Sequence, residues 1–274
     1  MVNIVRIALL VSLGAHISPE IALTGFHSQA GWMMFLTVAI GVMATAHRVP
    51  FFRLPIAEDS AAPSAAYREA IVLLAPFLAM TAASIVGAAF SGDGHWLYFL
   101  RVIAVGAAIV YGWRYYRRLQ WRKIGWPPLL PGLGVGLVWI ATDPGQGRPS
   151  ALGGWLATLP PAAFAAWMML RVAGMILLAP FAEELAFRGY LHRKLVAGDF
   201  DAVAEGAFSW KAFLISSALF GLMHERWLSG ALAGAVFALA LYRSGKITGA
   251  IIAHVAANAL IALWAIAFAQ WSLL

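Results

Sequence analysis

The sequence predicts an all-α integral membrane bundle of eight or nine transmembrane helices, with a buried polar site in its C-terminal half. Three observations carry this. The 274 residues are 62% hydrophobic and only 11% charged, with a mean hydropathy of +0.80, outside the range of water-soluble domains of this size. Apolar runs near the length of a helical span, about 20 residues, recur along the whole chain. No stretch shows the roughly 10-residue alternation of apolar and polar side chains that a transmembrane barrel requires.

Taken in order, the apolar segments fall near 4–23, 30–46, 69–90, 97–116, 128–142, 161–182, 210–224, 228–243 and 247–270, several of them short. In the first, Arg6 precedes "IALLVSLGA", an arrangement shared with secretory leaders. The Pro-Glu pair at 19–20 and the segments that follow make it a retained first span instead. The basic loops 47–53, 114–123, 193–194 and 243–246 alternate with "SGDGHW" (91–96) and "DPGQGRPSALGG" (143–154), which carry little charge. Lys and Arg in short loops favour the cytoplasmic side, so nine spans put the N-terminus inside and the C-terminus outside. The net charge of +7 is spread over these loops rather than gathered into a face for nucleic acid, and the expected surroundings are the lipid bilayer. With no cysteine, disulfides and thiolate chemistry are excluded. The loop 54–68 is small and polar, and the charged stretch 190–210 is expected to lie on the membrane surface and gate access to the interior.

The chain divides unequally, although it is expected to form one compact membrane domain. Residues 1–160 read as scaffold, with ionisable groups almost entirely in loops, whereas residues 161–274 place ionisable and amide side chains inside apolar helices. A charge in the hydrocarbon core costs several kcal/mol, so it pairs or marks a working site. In "FAEELAFRGYL" (181–191), Glu184 and Arg188 stand four apart with the acid first, the better order for a helical ion pair. Glu183 points about 100° away and has no local partner. A lone acid in an apolar pocket is poised as a general base, whereas the same residues at a solvated helix end would be inert. "FGLMH" sets Phe220 and His224 four apart, and "HVAAN" sets His254 and Asn258 on one face of a helix. Each histidine alone is more often a satisfied interhelical hydrogen bonder. Two carboxylates, two histidines, an amide and an arginine on three consecutive apolar segments form a plausible single site.

In their order and spacing, "EELAFR", "FGLMH" and "HVAAN" resemble the three motifs of the CAAX prenyl endopeptidase family, also called CPBP or Abi membrane proteases. The resemblance covers about residues 160–270; the size, the Ala and Trp richness and the long N-terminal half look like bacterial members, and the general resemblance is to the subgroup found with exosortase-type sorting systems. It implies an intramembrane endopeptidase cutting near the C-terminus of membrane-tethered proteins or peptides, and the bacterial character of the chain places it in the inner membrane. It further implies that Glu183 activates water with help from His224, that His254 and Asn258 stabilise the oxyanion, and that Glu184, Arg188 and Phe220 support them. No cofactor is required on that reading. If zinc is bound, Glu183, His224 and His254 are the candidate ligands, but the helical His-Glu-x-x-His signature is missing, since "HERWL" offers Leu228 where its second His belongs.

Other intramembrane protease classes fit less well. The five aspartates (59, 93, 143, 199, 201) all fall in loops, which excludes an aspartyl dyad. No serine stands in a nucleophile motif beside a catalytic base. Two non-enzymatic alternatives use the same polar cluster: a proton-coupled transporter, which should show symmetric repeats that are not found here, and a binding or immunity protein that holds a partner without cutting it.

Overall fold

The structure, a computed structural model, describes residues 65–91, 95–121 and 125–274, together with positions 8, 11, 12, 15 and 16. The expected segment 30–46 lies outside the described residues, and 4–23 almost entirely so. Among the described residues the fold is all helical, without strands. Seven apolar helices fall on the seven remaining expected segments: α1 (Ala65–Phe90), α2 (Tyr98–Tyr111), α3 (Leu129–Ala141), α4 (Pro161–Val196), α5 (Trp210–Leu222), α6 (Trp227–Ser244) and α7 (Ile247–Ala267). Four of these, α1 from Tyr67, α4, α6 and α7, are long and apolar enough to cross a bilayer, while α2, α3 and α5 are shorter. Large apolar side chains such as Leu133, Leu137, Leu214, Leu222, Leu232 and Leu263 point outward, which is stable where the surroundings are lipid rather than water.

Local chemistry sets the ends of these helices. Ser209 caps α5 by accepting from the Ala212 amide. Gly245, at φ +67°, ends α6 in the left-handed region that glycine occupies without penalty, and α7 starts two residues later. Packing is most extensive between α5 and α6, between α3 and α7, and between α1 and α2. On α3, a side chain at Gly132 would collide with the Ala253 carbonyl, so a glycine is required for α3 to seat against α7 beside His254. Small residues play this part between membrane helices because they let backbones approach closely.

One expectation is corrected. The helix expected at 161–182 continues to Val196, so the first part of the stretch expected on the membrane surface belongs to α4. Arg193 is buried there, paired with Glu69 of α1 at 2.7 Å and donating to the Val203 carbonyl. His192, which the sequence marks only as lying near a segment end, is fully buried and bonds the Ala207 carbonyl at 3.0 Å. Charge alone suggested an interface; paired with acids and carbonyls, these side chains lie inside.

Candidate active site

The geometry of the site begins with irregularities in α4. Two wide π turns, Gly174–Leu178 and Leu185–Leu191, flank a short α-helical piece, Ala179–Glu184. The first precedes Pro180, which has no amide hydrogen to give. The Ala179 amide donates to the Gly174 carbonyl, five residues back, and the next donor in that register would be Pro180 itself. The Met175 carbonyl is therefore left without a helical partner, and Asn258 on α7 supplies one through Nδ2 at 2.8 Å. Wide turns of this kind often occur at functional sites, where they re-aim side chains.

Within the second π turn lies Arg188. Its Nη1 meets Glu184 Oε1 at 3.2 Å, and both side chains are fully buried; its Nη2 donates to the Gly234 carbonyl of α6 at 2.6 Å. The guanidinium also sits 4.5 Å from the centre of the Phe220 ring, a cation–π contact that ties the second motif to the first. Glu184 Oε1 makes a further bond, accepting from His254 Nδ1 at 2.9 Å. The expected Glu184–Arg188 pair is thus part of a three-residue network that orients His254. A carboxylate behind an imidazole fixes which ring nitrogen faces outward.

That outward nitrogen, Nε2, points toward Glu183, whose Oε2 lies 4.0 Å away. Glu183 Oε2 is buried and has no hydrogen-bond partner among the described residues. Glu183, His224, His254 and Asn258 line one cavity of about 170 Å³, with Phe220, Phe237 and Trp139 among its walls. His224 Nδ1 lies 2.8 Å from the Phe220 carbonyl; a carbonyl only accepts, so Nδ1 carries the hydrogen, and in the neutral ring Nε2 keeps its lone pair. The i, i+4 spacing of Phe220 and His224 brings this about.

The structure therefore brings the four expected residues of three motifs around one cavity and sets Glu184, Arg188 and Phe220 behind or beside them. The pairings within the site differ from the expected ones in two respects: Glu183 has His254 Nε2 within 4.0 Å, and the Asn258 amide is partly engaged by Met175. Phe237, which no motif announced, stacks on His254 with ring centres 4.3 Å apart and planes 17° from parallel. Trp139 presents its edge to His224 at 5.6 Å and holds Arg226 over its ring at 4.2 Å. Arg101 and Arg171 also line the cavity; each is a charge inside an apolar run, the same signal that marked Glu183. Among the described residues, no three His, Cys, Asp or Glu side chains gather as a metal-holding set.

Fold and site together define a class: a helical integral membrane protein with a carboxylate–histidine centre inside its bundle. Residues 163–260 match the family model described as Type II CAAX prenyl endopeptidase Rce1-like, the family that the three motifs resemble. The match runs from the start of α4 into α7 and contains all three motifs. No curated protein and no solved structure matches the chain.

Proposed function

We propose that this protein is an intramembrane endopeptidase that cuts near the C-terminus of membrane-tethered proteins or peptides, using water activated by Glu183. The observation that carries this is the cavity in which Glu183 stands partly exposed opposite His254, while its chain neighbour Glu184 is sealed behind it with Arg188. Adjacent carboxylates with such different surroundings suit different tasks, one reacting and one orienting.

On this reading a water molecule sits between Glu183, His224 Nε2 and the scissile carbonyl. Glu183 takes a proton from the water as its oxygen bonds to the carbonyl carbon, and the negative charge moves to the former carbonyl oxygen. With both ring nitrogens protonated, His254 donates through Nδ1 to Glu184 and through Nε2 to that oxygen. The second hydrogen on Asn258 Nδ2 adds another donor. Donors fixed in advance where charge develops are commonly the largest contribution to such catalysis. The intermediate collapses, the C–N bond breaks, and the proton held by Glu183 passes to the leaving nitrogen, giving a new carboxyl group and an amine.

The test compares C-terminal peptides, by mass spectrometry, in membranes of cells expressing wild type or Glu183→Gln at equal level. One or a few proteins are expected to keep an uncut tail only in the variant, and cleavage by the purified wild type is expected to persist in EDTA. Indistinguishable profiles would move the transport and binding readings ahead.

A further inference from the structure

The cavity next to Glu183 is continuous in its lining with a second of about 360 Å³, because Tyr98, Arg101 and Arg171 belong to the walls of both. The two arginines share one aromatic ring: the Arg171 guanidinium lies 4.5 Å and that of Arg101 5.3 Å from the centre of Tyr98. Neither makes an ion pair with any carboxylate among the described residues. Arg101 is held by Ser84 Oγ, which accepts from its Nε at 2.9 Å and from one Nη; its remaining guanidinium hydrogens have no described partner. Arg171 Nε and Tyr98 Oη are buried with no hydrogen-bond partner among the described residues. Two half-buried cations and a hydroxyl thus meet without an ion pair of their own in an apolar bundle, where an uncompensated charge is costly, although Glu183 and Leu274 line the same cavity.

We propose that Arg101, Arg171 and Tyr98 form a subsite for the free α-carboxylate at the C-terminal end of the peptide whose backbone reaches Glu183. This rests on the peptidase reading above and gives that site its ruler. Tyr98 Oη packs directly against Gly174, where any side chain would displace it. Gly174 and Glu183 are nine positions apart on α4, roughly 13 Å at the helical rise, a distance spanned by about four residues of extended peptide. The leaving fragment is therefore a short C-terminal peptide, and the enzyme selects chain ends because only a chain end brings a carboxylate to the guanidinium fork. A lipid phosphate has similar charge, but the arginines line the cavity of Glu183 itself, where a peptide end belongs.

The experiment uses the full chain carrying Glu183→Gln, in nanodiscs of neutral phosphatidylcholine. The probe is a fluorescent farnesyl-cysteine tetrapeptide prepared as the free acid and as the C-terminal amide. The acid is expected to bind about tenfold or more tighter than the amide. Adding Arg101→Gln and Arg171→Gln together should bring that ratio to about one without weakening the amide. Equal binding of the two peptides, or no binding of either, overturns the inference, as does a preference that survives loss of both arginines. Competition by phosphatidylglycerol with no acid preference would assign the pair to lipid and overturn it too. The acid preference is read in protein with Arg101 and Arg171 intact, so misfolding of the double variant cannot mimic a negative. If the acid preference holds while protein with Glu183 restored cuts neither peptide, the carboxylate subsite stands and the peptidase reading falls.

Discussion

Glu183 and Glu184 show how little adjacency in the chain says about circumstance. Glu184 has no exposed surface and holds both Arg188 and His254, whereas Glu183 retains some exposure, 15% of its side chain, in the cavity. Removing the charge of a buried partner strands the other one, at a cost of about 3–5 kcal/mol. Glu184→Gln should therefore lower the thermal melting temperature in detergent as well as any cleavage, while Glu183→Gln should abolish cleavage and leave melting almost unchanged. Equal melting of the two variants would sink this assignment of roles. The division was half legible in the sequence. The four-residue spacing announced Glu184–Arg188, but nothing in the spacing announced that His254, seventy positions later, bonds the same carboxylate oxygen. Phe237 was silent for a similar reason, because a phenylalanine in an apolar helix carries no mark of what it stacks on.

At the scale of elements, α4 owes its shape to Pro180 and its anchor to Asn258. Asn258→Ala should cost about 1–3 kcal/mol by orphaning the Met175 carbonyl. In a Pro180→Ala background, position 180 regains an amide hydrogen, and the cost should shrink. Melting curves of the four proteins form a double-mutant cycle, and equal costs in both backgrounds would refute the account. A second elemental junction ties the end of α3 to the C-terminal segment. Asp143 accepts from Gln270 Nε2 and Ser272 Oγ, each at 2.7 Å, and from the Gly145 amide at 3.2 Å. Burial by itself would raise the Asp143 carboxyl, but these hydrogen bonds, with nearby Arg226, outweigh it and hold the group below its ordinary value. A group depressed in the folded state contributes stability that is complete above its unfolded value, about 3.9, and that is lost as pH falls through the lower folded value. Asp143→Asn should therefore melt earlier at neutral pH and lose part of the wild type's acid sensitivity. A wild-type acid profile retained by Asp143→Asn would show that other carboxylates set it.

Across the whole molecule, the cavity and the basic loops lie toward opposite ends. Asp143, His224 and the C-terminal Leu274 stand at one end of the helices, while Arg193, Lys194, Arg243 and Lys246 stand at the other. By the distribution of Lys and Arg, the second end is expected to face the cytoplasm. The absence of cysteine makes this directly measurable: Arg148→Cys should react with an impermeant maleimide on intact cells, and Arg243→Cys only after the membrane is opened. The reverse pattern would invert the molecule and the side from which substrates reach the site. By itself, the sequence indicated an all-helical membrane fold, the seven described apolar helices to within a few residues except at the end of α4, and the motif residues that line one cavity, because apolar length and misplaced charge are local properties that lipid punishes when they are wrong. The tertiary structure alone decided that α4 runs on through two π turns, that His254 Nε2 stands within 4.0 Å of Glu183, and that Arg101 joins Arg171 at the same cavity. Those facts depend on which helix faces which, and a hydrogen bond or a shared ring between distant positions leaves no periodic trace along the chain.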